Sequence, residues 1–130
     1  MYDEIYDTSL SVFDDQTSEF IGTARFNLTP EAEQKLLSLI EFNTDPGELI
    51  LSNVEFLPSS DRYTPPYPFA RVRRHSILNA MVRDHRSRKH TPIEIELKYD
   101  RIARSCLTNN PNRLESAELS NIELMEIRLM

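Results

Sequence analysis

The chain has 130 residues, 39% hydrophobic and 28% charged, a length and balance that suit one folded domain and exclude a disordered polymer. Its formal charge of −6 is unevenly laid down, with a net −11 over residues 1–61 and a net +7 over residues 62–104. A single cysteine, Cys106, excludes an internal disulfide and a cysteine-held zinc, and two glycines leave no glycine-rich phosphate loop or dinucleotide fingerprint.

The opening MYDEIYD lacks the basic-then-apolar order of a secretory signal, and no apolar run has the length of a membrane span. A cytoplasmic location without membrane contact is therefore expected. Residues 2–13 have strand character, Leu10 and Val12 alternating with Ser9 and Ser11, and the polar DDQTSE follows as a turn. Phe20, Ala24, Phe26 and Leu28 then recur at spacing two while Thr23, Arg25 and Asn27 face the other way, so the two pieces predict an antiparallel hairpin. Gly22 marks a bulge or a close backbone approach within it.

Thr29, Pro30 and Glu31 form a helix start: the threonine caps free amides, proline fits the first turn, and the carboxylate suits the helix dipole. The helix is expected to run to about Phe42, burying Ala32, Leu36, Leu37, Leu39 and Ile40, with Glu33 read as a first-turn carboxylate rather than a catalytic one. Residues 48–57 predict a third strand with Ile50, Val54 and Phe56 on one face and Leu49, Leu51 and Leu57 on the other, hence a covered central strand. Four prolines between 58 and 68 predict an extended loop.

Residues 69–75 are then expected to run extended into a helix over 77–89, capped by Ser76 and anchored by Ile77, Leu78, Met81 and Val82. A single helix from 69 would drive Arg74 into that apolar stripe, which argues for the break. Ile93, Ile95, Leu97 and Tyr99 alternate with Glu94, Glu96, Lys98 and Asp100, the plainest strand pattern in the chain. A helical turn is expected around Ile102 and Cys106, then a polar loop through TNNPNR. Near the end, Ile122 and Leu124 fall out of phase with Ile127 and Leu129, which calls for a strand bulged near Met125. The sum is a single α+β domain over 1–130: a mainly antiparallel sheet of about five strands on one or two helices, with an extended Pro/Tyr loop at about 58–68.

Arg71, Arg73, Arg74, Arg83, Arg86, Arg88 and Lys89 hold seven of the 15 basic residues within nineteen positions. Planar guanidinium groups bind phosphate or carboxylate at two points and stack on rings, and Tyr63 and Tyr67 supply rings nearby. These nine residues are the candidate binding surface. An acidic first half would repel bulk nucleic acid, and no helix-turn-helix, zinc-finger or RNP-type pattern is present. The expectation is a non-enzymatic interaction or assembly module whose partner is a protein with an acidic patch, or a second copy. A nucleic-acid accessory protein using the same block is the alternative, and solvation or neutralisation by the chain's own acidic half is the bland reading. His75, His85 and His90 beside Asp84 raise a third reading, a small phosphodiesterase-like enzyme. The helix pattern points them apart, so no catalytic residue, metal or cofactor is expected.

Overall fold

The computed structural model describes residues 4–63, 71–83, 89–107 and 113–130, giving backbone alone at residues 4 and 104–107. The chain runs β1 (Glu4–Phe13), β2 (Phe20–Leu28), α1 (Pro30–Phe42), β3 (Glu48–Pro58), a 3-10 turn (Asp61–Tyr63), β4 (His75–Arg83), β5 (His90–Lys98), β6 (Arg101–Leu107), β7 (Arg113–Ser120) and β8 (Glu123–Leu129). All eight strands lie in one sheet, ordered β6-β7-β3-β2-β1-β4-β5-β8, and every ladder is antiparallel. This corrects the expected five strands and one or two helices: the sheet is larger, and α1 is the one α-helix among the described residues.

The predicted helix over 77–89 is the main error. Its first part is β4, in which Ser76, Leu78, Ala80 and Val82 are buried while His75, Ile77, Asn79, Met81 and Arg83 are half-buried on the other face. Ile77, Leu78, Met81 and Val82 fit a helical stripe and equally a strand with apolar residues on both faces, and packing against β1 and β5 settles it. Ser76 caps nothing; its Oγ lies 2.7 Å from the hydroxyl of buried Tyr99. The expected turn at 102–106 is likewise strand β6, and Arg113–Ser120, given no element from the sequence, is β7.

Bulges reset the phase of several strands. In β3 the buried set is Leu49, Leu51, Val54 and Phe56, with Asn53 at φ 51 between the pairs, so Ile50 and Leu57 stand exposed. The strand is therefore covered on one face, not two. Asp7, at φ 53, breaks the β1–β4 register in the same way, and the β8–β5 register slips at Met125. Such bulges sharpen twist and curl a sheet. At Gly22 the curl brings backbone close: a Cβ there would collide with the Leu57 carbonyl oxygen and lie 2.7 Å from Phe56 Cζ.

The curl is strong, because β5 reaches β6, at the opposite edge of the sheet, through only Tyr99 and Asp100. Three Cα steps span at most about 11 Å. The link from β7 to β8 is equally short, Asn121 and Ile122, and makes the reverse crossing. The two links are tied together, Asp100 N–H donating to the Ser120 carbonyl at 3.0 Å and Asn121 Nδ2 to Asp100 Oδ2 at 2.5 Å. One end of the sheet is thus pinched into a half-barrel, yet no ladder joins β6 to β8 among the described residues.

Helix α1 fills the concave side. Thr29 caps it through Oγ1, which accepts from Ala32 N–H at 3.1 Å, and left-handed Asn43 ends it. Ala32, Leu36 and Leu39 are buried against the sheet among Leu10, Leu51, Ile95 and Leu97. Glu33 ties the helix start to the sheet, its Oε1 accepting from Ile5 N–H at 2.9 Å. Among the described residues no helix is long and apolar enough to cross a membrane.

Candidate interaction surface

The strip at 71–74 lies against the β1–β2 turn rather than standing out in water. Val72 bridges to Asp14, Asp15 N–H donates to the Arg71 carbonyl, and Arg73 N–H donates to the Phe13 carbonyl, both at 2.5 Å. Side chains repeat the attachment. The buried Asp14 carboxylate caps its own turn by accepting from the Gln16 and Thr17 amides at 2.8 and 3.2 Å, and its Oδ2 meets Arg71 Nη2 at 3.2 Å. Arg73 stacks over the Phe13 ring at 5.2 Å, and Phe13 meets Phe20 edge to face. Acidic and basic halves therefore meet inside one chain, and Arg71 serves its own turn.

Tyr63 is part of the same end of the molecule. Its ring is buried, its hydroxyl donates to Glu19 Oε2, and Arg62 Nη2 bonds both that carboxylate at 2.7 Å and the Tyr63 oxygen at 2.8 Å. The hydrogen bond to Glu19 raises the phenol above its ordinary value. Arg74 and Lys89 are exposed and Arg83 is half-buried at the end of β4. Tyr67, Arg86 and Arg88 lie outside the described residues, so the structure brings Tyr63, Arg71 and Arg73 together and leaves Arg83 and Lys89 at the far end of β4 and β5.

The histidines occupy separate places. His75 Nε2 sits 3.0 Å from Glu96 Oε1, whereas His90 lies edge-on to Tyr6 at the other end of the β4–β5 pair. Eight strand residues separate the two, about 26 Å. His85 falls outside the described residues. Among the described residues no three His, Cys, Asp or Glu side chains gather as a metal-holding set.

Two further features were not singled out by sequence reasoning. A polar hollow of ≈ 410 Å³ opens over the exposed face of β2, where the Asp7 and Asn53 bulges flank it. Asp7 and Glu55 supply carboxylates and Arg25 and Arg113 guanidinium groups, with Arg113 paired to Glu55 at 3.3 Å. Two charges of each sign leave no net field to select an ion. The second feature is the β8 edge, where Met125, Leu129 and Met130 are 49%, 71% and 69% exposed. Beside it, Arg128 lies 3.2, 3.8 and 3.6 Å from the carboxylates of Glu94, Glu96 and Glu126. Sequence reasoning found the strand and its bulge; the signal for its edge position, apolar residues left after the core was filled, needs the strand order. No family model, curated protein or solved structure matches the chain.

Proposed function

We propose that the chain is a non-enzymatic cytoplasmic module that assembles with other protein chains. The observation that carries this reading is a sheet left unclosed among the described residues: β8 pairs there with β5 alone, and its exposed side chains include Met125, Leu129 and Met130. An open strand edge with apolar residues is a template for another chain, and proteins without such a partner cover or charge it. The basic block supports a protein partner over nucleic acid, because Arg71 and Arg73 are held by Asp14 and Phe13 and offer less to a phosphate backbone. Exposed Arg74 adds a charge that orients a partner on approach. The lone cysteine suits a reducing compartment.

The test is affinity capture from native cells with and without nuclease, beside light scattering of the purified chain. The expected result is self-association, or a stoichiometric protein partner that survives nuclease. A monomer retaining only nucleic acid, with affinity falling steeply between 50 and 200 mM salt, replaces this reading with the nucleic-acid one.

A further inference from the structure

The β8 edge carries more information than its exposure. Met130 N–H donates to the Pro92 carbonyl at 3.2 Å, and Arg128 and Glu126 lie opposite Glu94 and Glu96. Hydrogen-bonded and non-hydrogen-bonded pairs alternate along an antiparallel ladder. Met130, Arg128 and Glu126 therefore turn their backbone groups toward β5, and Ile127 and Leu129 turn theirs outward. The strand that a partner would meet is centred on Ile127.

We propose that this edge binds a second copy of the chain, two β8 strands pairing antiparallel about a two-fold axis at Ile127. The proposal rests on the assembly reading above and names its partner. Self-complementarity of the strand is what selects the copy. With Ile127 facing Ile127, Glu126 faces Arg128 of the second copy on both sides of the axis, so each charge next to the axis meets its opposite. Moving the axis one residue either way sets Glu126 against Glu126 or Arg128 against Arg128. The backbone phase agrees independently, since Ile127 is a residue whose amide and carbonyl point outward and can be exchanged across the axis.

The faces agree as well. Ile127 and Leu129 lie opposite buried Ile95 and Ile93, so they stand on the core side of the sheet, where Ile127 is partly buried and Leu129 is exposed. A two-fold axis normal to the sheet keeps like faces together. The two copies' Ile127 and Leu129 would then extend both cores across the junction. On the outer face, Arg128 is one guanidinium among three carboxylates, and the second copy brings another guanidinium to Glu126.

Light scattering of the full chain across a range of concentrations, with four variants, tests this. Glu126→Arg and Arg128→Glu each place like charges opposite one another at two symmetric sites and are expected to weaken the dimer on the order of tenfold, while the double variant Glu126→Arg/Arg128→Glu restores it. Leu129→Pro removes an outward amide without taking a bond from β5, so it is expected to abolish the dimer with circular dichroism and melting temperature of the monomer unchanged. Should Arg128→Glu fail to fold among Glu94 and Glu96, Glu126→Arg and Leu129→Pro decide. A dimer indifferent to the variants, or an assembly larger than a dimer, overturns the inference and leaves the assembly reading standing. A monomer at every concentration also overturns it, and the assembly reading is then judged by the nuclease-treated capture alone.

Discussion

Tyr99 shows how one buried residue couples this fold to pH. It is 1% exposed, its hydroxyl lies 2.7 Å from Ser76 Oγ, and burial pushes its phenol up to about 12, with the Ser76 hydrogen bond and nearby Arg73 opposing. An unfolded tyrosine releases its proton near pH 10, so between about pH 10 and 12 the unfolded state binds fewer protons than the folded one. Stability is full below pH 10 and falls by about 1.4 kcal/mol per pH unit through that window. Urea unfolding from pH 8 to 11.5 is expected to show this slope, and Tyr99→Phe is expected to flatten it. The same residue was legible as an inward strand position, but its partner was not: Ser76 reads as a helix cap until the β4–β5 register places Tyr99 beside it. Asp14 was similarly opaque. A carboxylate in a polar turn looks solvated, and only the return of residues 71–73 across β1 buries it.

Among the elements, α1 was the most readable, because capping, dipole and an apolar arc all act within one segment. Leu36 sits in the centre of that arc with no exposure. Leu36→Ala leaves a cavity between helix and sheet and is expected to cost about 2–5 kcal/mol in denaturant unfolding, without changing strand content. Strands were legible where their pattern was clean, as over Ile93 to Tyr99, and illegible where non-local packing chose the outcome. Ile77, Leu78, Met81 and Val82 satisfy either period, and β7 offers only Leu114, Ala117 and Leu119 with a phase change between them. The phase change is a consequence of bulges that align across neighbouring strands, information that no single segment holds. For the candidate surface, the basic block was visible at once in composition. Neutralisation by the acidic half was an open alternative in the sequence, and the turn geometry shows one such pair, Arg71 with Asp14.

For the whole molecule, strand order rather than strand content governs behaviour. Neighbours in the sheet are often distant in the chain, as β3 with β7 and β1 with β4, so closure entropy is spent before those ladders form. Such topologies place the slow step in long-range pairing. The crossing links at Tyr99–Asp100 and Asn121–Ile122 add an asymmetry. They hold the starts of β6 and β8 together at one end while, among the described residues, no ladder joins the same strands further along. Native-state hydrogen exchange measured below the dimer dissociation range is expected to show faster amides at Arg128 and Met130 than at Glu123, since opening runs inward from the unpinched end. Equal protection along β8 would show a seam that does not open in this direction. The exchange gradient would make the pinch a hinge and α1 the wedge set into its jaws, and a strand that joins β8 would then determine how wide the jaws rest.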